Sequence, residues 1–159
     1  MIEPLFSSPV YMSDDLLPVD EDMLGRVNSF KSHPNHSNMI TDSYDVLNDD
    51  KMSDIRHFCI KHLNAYVRDF LKCKNEIYIT TSWLNYTQKG QSHHLHNHPN
   101  SLISGVLYLS GPFESLESFL HRVNNPPKEF QTNFPAKTFS FRFLPSSPSS
   151  SCAKKKENR

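Results

Sequence analysis

Apolar residues recur at intervals of three and four between residues 53 and 72. Ile55, Phe58, Cys59, His62, Leu63, Tyr66, Val67, Phe70 and Leu71 fall on one side, and Arg56, Lys61, Asn64, Arg68, Asp69 and Lys72 on the other. That period predicts an amphipathic helix lying against a sheet, with Ser53 as its N-cap. A weaker recurrence of Met23, Leu24, Val27 and Phe30 predicts a short helix around Asp20–Phe30. Beyond residue 76 the pattern changes. Residues 77–86 are β-branched and aromatic, as strands are, and Gln88-Lys89-Gly90 supplies a turn. Ser101–Leu109 reads as a second strand stopping at Gly111-Pro112, 118–123 as a third, and the alternating Phe139, Phe141 and Phe143 as one more. Leu5–Tyr11 is an edge strand at best, because Pro9 interrupts it. Residues 33–38 and 124–127 read as loops. A helix followed by a series of strands predicts a mainly β fold with helical cover (α+β), as an antiparallel sheet or sandwich.

The end of the chain changes character. No glycine occurs after Gly111, and 145–151 is a Ser/Pro run followed by a Lys-rich terminus. We therefore expect one folded domain over 1–144 and a disordered tail over 145–159, whose apolar surface is too small to offset the entropy of ordering. Seventeen basic and seventeen acidic residues balance, which argues against general nucleic-acid binding. No apolar run approaches the ~20 residues that span a bilayer, and Met1-Ile2-Glu3-Pro4 does not resemble a secretory signal. Three cysteines (Cys59, Cys73 and Cys152) without zinc-like spacing predict no disulfide framework and a reducing, cytoplasmic setting.

The histidines carry the candidate chemistry. Four of nine, His93, His94, His96 and His98, fall within six positions. In a strand, residues two apart share a face and lie roughly 6.6–7 Å apart, so His96 and His98 can converge on one metal ion. Pro99 ends pairing immediately afterwards, which puts the pair at the end of a strand. His94 shares their parity but is too far along a straight strand to join them without a bend. Surface histidines in a loop, or a tract that scavenges metal nonspecifically, would carry the same letters. His62 reads as a hydrogen-bonded packing residue, His33 and His36 as solvated loop residues, and His121 as a weak further ligand. Trp83 reads as core, while Tyr108 is open between packing and an active-site hydroxyl.

Ser82-Trp83-Leu84-Asn85, Lys89-Gly90, His96-Asn97-His98-Pro99-Asn100-Ser101 and Ser104-Gly105-Val106-Leu107-Tyr108-Leu109 together resemble a family of 2-oxoglutarate- and Fe(II)-dependent oxygenases. Leu5-Phe6, Pro9-Val10-Tyr11 and the long helix extend the resemblance over roughly residues 3–125, and Gly111-Pro112-Phe113 is worded most like its phage branch. The resemblance implies a double-stranded β-helix, or jelly roll, holding Fe(II) and 2-oxoglutarate at its mouth. It implies His96 and His98 as metal ligands and Asn85, Ser104 and Tyr108 as cosubstrate-binding residues. The substrate would be a small molecule or protein of unspecified kind. The family pattern also expects a distal His and then an Arg after a Phe-Pro-Ser step. Here Phe143-Leu144-Pro145-Ser146 echoes that step, no His follows His121, and Arg142 precedes the echo. From this we expect an incomplete jelly roll, an altered reading frame entered between Phe130 and Phe143, weak metal binding and little turnover. The alternatives are a non-catalytic relative or a cupin-like metal-binding module. The absence of a glutamate between His98 and Glu114 weighs against a cupin.

Overall fold

A computed structural model describes residues 9–93, 98–110, 130–131 and 136–145, with side chains described for 9–91 and 98–110. The Asp20 carboxylate accepts from the Met23 N–H at 2.8 Å and so starts helix α1 (Glu21–Asn28), which buries Met23 and Val27. Residues 33–38, expected as a loop, instead belong to a hairpin. Strand β1 (Ser32–Asn35) pairs antiparallel with β2 (Asn38–Thr41), in register from Ser32↔Thr41 to Asn35↔Asn38. The turn polarity was legible, but four-residue strands are too short to show a period. Pro34 is tolerated because β1 is an edge strand.

Two 3-10 turns, Val46–Asn48 and Asp50–Met52, lead into α2 (Ser53–Ala65). Asp49 accepts from the Lys51 N–H and caps the second turn. Ser53 is therefore the first helical residue and not the cap that its identity suggested. The buried stripe of α2 is Ile55, Cys59 and Leu63, continued by Val67. It packs with Met23, Val27, Val46, Leu47 and Met52 against Ile79, Leu84 and Leu109 of the sheet. The helix ends in a π-helical stretch, Tyr66–Phe70. Its wider turn rotates the stripe off the core, so Phe70 and Leu71 are exposed although the period had assigned them to the packed face.

Strands β3 (Ile77–Thr87), β5 (Ile103–Ser110) and β7 (Ala136–Pro145) complete a five-stranded antiparallel sheet of order β1-β2-β3-β7-β5. A separate antiparallel ladder joins β4 (Ser92–His93) to β6 (Phe130–Gln131). The architecture is thus helices and an antiparallel sheet, as the pattern predicted. β7 is longer than the Phe alternation suggested, reaching Pro145 opposite Ile77. It pairs with β3 on one side and β5 on the other.

A bulge between Ile79 and Thr81 decides what each face of the sheet carries. Before it, Ile77 and Ile79 lie on the helix side, and after it Ser82, Leu84 and Tyr86 do. Without the extra residue, Trp83 and Asn85 would occupy the helix side instead. The segment before Pro9, the expected strand at 118–123 with His121, and the tail from 146 onward lie outside the described residues. Within the described part of the first expected strand, residues 9–11 are not paired.

Candidate functional site on the outer face of the sheet

Four residues of β3 beyond the bulge, Thr81, Trp83, Asn85 and Thr87, face away from the helices. On β5 that face carries Ser104, Val106 and Tyr108, while Ile103, Leu107 and Leu109 turn toward the core. Trp83 is only 6% exposed, yet it is covered from outside the main core. The Tyr44 ring lies 5.9 Å from it on one side, and the His98 ring meets it edge-on at 5.6 Å and 69°. Backbone accounting explains why Tyr44 is there. Where β2 stops pairing with β3, side-chain hydroxyls take over. The Leu84 N–H donates to Thr41 Oγ1 at 3.1 Å, the Leu47 N–H to Ser82 Oγ at 2.8 Å, and the Ser82 N–H to the Tyr44 carbonyl at 2.8 Å.

His98 reaches the face through a turn whose chemistry is local. Pro99 fixes its own φ, and Asn100 takes φ 59°, a left-handed conformation that Asn tolerates better than most residues. The chain reverses at these two residues and enters β5. His98 Nδ1 then lies 2.9 Å from Ser104 Oγ, which lies 3.2 Å from Ser101 Oγ, and the Ser101 hydroxyl donates to the Ile103 carbonyl at 2.6 Å.

Registers through β7 bring the remaining candidates into rows. Asn85, Thr138 and Tyr108 are directly opposed, as are Trp83, Ser140 and Val106. Asn85 is buried at 3% and Tyr108 is 51% exposed, so one is held within the structure and the other lies at its surface. The next row is Thr81, Arg142 and Ser104. In the sequence Arg142 precedes the Phe-Leu-Pro-Ser step that the family's arginine should follow. Its register position is nevertheless on the outer face, next to the serine that touches His98. Thr81 Oγ1 in the same row is buried without a hydrogen-bond partner, an unusual state for a hydroxyl.

Residues 81–149 match the family model described as "Putative 2OG-Fe(II) oxygenase". That stretch, less than half of the chain, contains β4 to β7 and most of β3, including the whole outer-face group. No curated protein matches the chain.

Of the residues that a 2OG-Fe(II) oxygenase reading singles out, Asn85, Ser104, Tyr108 and His98 share one face. His96 and His94 lie outside the described residues. Among the described residues there is no group of three His, Cys, Asp or Glu that could hold a metal ion. Three other described histidines are engaged elsewhere. His33 pairs with Asp42 at 2.8 Å, His57 Nδ1 lies 2.6 Å from the Ser53 carbonyl, and His62 packs against Phe58 and bonds Tyr11. Burial pushes the Cys59 thiol and the Tyr86 phenol up to about 12, so neither ionises near neutral pH. Tyr86 donates to the Val27 carbonyl at 2.7 Å and ties β3 to α1. Tyr44, Thr81, Ser101 and Arg142 were not picked out beforehand. Thr81 and Arg142 owe their places to a bulge and a strand register, Tyr44 to a backbone hydrogen bond with Ser82, and Ser101 to the turn before β5, and none of these leaves a mark in periodicity.

Proposed function

We propose that this chain is an oxygenase-type domain that uses Fe(II) and 2-oxoglutarate, built as a jelly roll whose mouth is the outer face of the five-stranded sheet. The observation that carries the reading is His98, seated just before the Pro99-Asn100 turn that leads into β5, within the family-matched stretch, over Trp83 and against Ser104. The donor chemistry fits a ferrous ion in part. An imidazole whose Nδ1 is held by a hydroxyl offers its Nε2 to a metal, the usual arrangement for ligating histidines. His96, two residues earlier, is the second ligand in this reading. Bound iron with its cosubstrate would supply the oxidising chemistry, at a site that the facial-triad logic leaves open to 2-oxoglutarate and O₂.

The protein's own part is to bind, orient and exclude water. Arg142 is suited to the far carboxylate of 2-oxoglutarate, because a guanidinium grips a carboxylate through two parallel hydrogen bonds. Thr81 and Tyr108 are further hydroxyl donors on that face. Tyr44 and Trp83 form an apolar wall beside it. Such a site would hydroxylate a substrate lying across the exposed Val106 and Tyr108.

Anaerobic titration with Fe(II) and 2-oxoglutarate tests this reading. A visible charge-transfer band is expected from the wild-type chain and its loss from His98→Ala. A wild-type chain that binds neither would overturn it. The second reading is a metal-binding domain without catalysis. It is favoured by the sequence, where no histidine lies between His121 and the end of the family-matched stretch at residue 149, and it predicts Fe(II) binding with no band on adding 2-oxoglutarate.

A further inference from the structure

The hydrogen bonds leading away from His98 have only one polarity in which every contact is a real bond. Three contacts run in series: His98 Nδ1 to Ser104 Oγ, Ser104 Oγ to Ser101 Oγ, and Ser101 Oγ to the Ile103 carbonyl. A carbonyl only accepts, so the Ser101 hydroxyl hydrogen is committed to Ile103. Ser101 can then meet Ser104 only as an acceptor, which commits the Ser104 hydrogen to Ser101. Ser104 has no hydrogen left for His98, and must itself accept from Nδ1–H. The terminal carbonyl therefore dictates the state of an imidazole three bonds away. Reversing the first link would set two hydroxyl oxygens against each other at 3.2 Å with no hydrogen between them.

From this series we infer that Ser101 and Ser104 are positioning residues that lock neutral His98 in its Nδ1–H tautomer, with the lone pair on Nε2. This runs against the default, since an unrestrained imidazole prefers its hydrogen on Nε2. Any partner at Nε2 must then be a hydrogen-bond donor or a cation. The device is compact because the Pro99-Asn100 reversal brings residues 98, 101 and 104 together within one turn and the start of one strand. The inference about metal affinity rests on the Fe(II) reading, whereas the tautomer does not.

The test is two-bond ¹H–¹⁵N correlation NMR of the metal-free full chain at about pH 8, above the ordinary histidine range, with His98→Gln assigning the signals. Wild type is expected to show a protonated Nδ1 and a bare Nε2 at His98. Ser104→Ala, and Ser101→Ala without touching the ring, are expected to return the Nε2–H form, while Ser104→Thr keeps the wild-type pattern. Circular dichroism establishes that the variants are folded. A wild-type ring protonated at Nε2, or a Ser101→Ala variant with an unchanged ring, overturns the relay. Titration with Co(II) alone then reads its consequence. Ser104→Ala and Ser101→Ala should lose roughly 10- to 100-fold in affinity, as loss of such supporting bonds does elsewhere, with Ser104→Thr restoring it. Variants that change tautomer but keep full affinity overturn the positioning role. A correct tautomer with no Co(II) effect on His98 sinks the iron reading and leaves the relay standing.

Discussion

Arg142 illustrates how much a single residue's meaning depends on what lies across from it. In the sequence it is a cation in a run of phenylalanines, and in the sheet it stands between Thr81 and Ser104 on the face that carries His98. Arg142→Ala should raise the 2-oxoglutarate concentration needed for half-maximal band formation by about tenfold or more, equivalent to a lost charge-assisted pair of roughly 1.5–3 kcal/mol. Arg142→Lys should recover only part of this, because an ammonium cannot make the two-pronged contact. Unchanged half-saturation in both variants would remove Arg142 from the site. Arg26 works differently, as a structural clip. It pairs with Asp54 through two nitrogens at 3.1 and 2.7 Å, bonds Asp22 at 3.0 Å and reaches the Lys51 carbonyl. The hydrogen bond from Arg26 holds the Asp54 carboxyl below its ordinary value, against some burial. A lowered carboxylate contributes stability that is present above the unfolded value near 3.9 and is lost as pH falls through the folded one. Arg26→Gln should therefore lower stability at neutral pH, with the gap from wild type closing in denaturation curves below about pH 4.

Elements differ sharply in how far they could be read beforehand. Helices α1 and α2 follow their apolar period because each meets the core through one stripe, and Ile55 is fully buried at its centre. Ile55→Ala should cost roughly 2–5 kcal/mol in chemical denaturation, whereas Phe70→Ala, beyond the π turn, should change stability by under about 1 kcal/mol. A large loss at Phe70 would contradict its exposed position. The β1–β2 hairpin was missed because its strands are short and polar. Strand β7 was partly found, but its place between β3 and β5 was not, since pairing partners are chosen by distant parts of the chain. The bulge at Thr80 was hidden for the same reason, and with it the fact that Trp83 and Asn85 belong to a different face from Leu84 and Tyr86. Of the proposed site, the motif around His98 was legible and its supporting contacts were not.

At the scale of the molecule, the residues before α1 are strapped across α2. His62 Nδ1 lies 2.9 Å from the Tyr11 hydroxyl, its Nε2 approaches Ser13 at 3.4 Å and Asp15 at 3.6 Å, and Lys61 pairs with Asp15 at 2.5 Å. Burial, followed by the Lys61 charge, lowers the His62 pKa, and Asp15 opposes this only weakly. The folded state thus disfavours the imidazolium, and the unfolded chain binds the extra proton in the window below about pH 6.5. Stability should rise as pH climbs toward the ordinary histidine value, and His62→Gln should flatten that slope in thermal melts. Tyr11 and Tyr66, 6.1 Å apart, extend the strap toward the π turn. On the opposite side of the sheet, the chain's only tryptophan stands edge-on to His98. Its emission consequently comes from one place, so a quenching paramagnetic cation captured by that imidazole would dim the whole tryptophan signal under selective excitation, giving a label-free optical gauge of occupancy in solution.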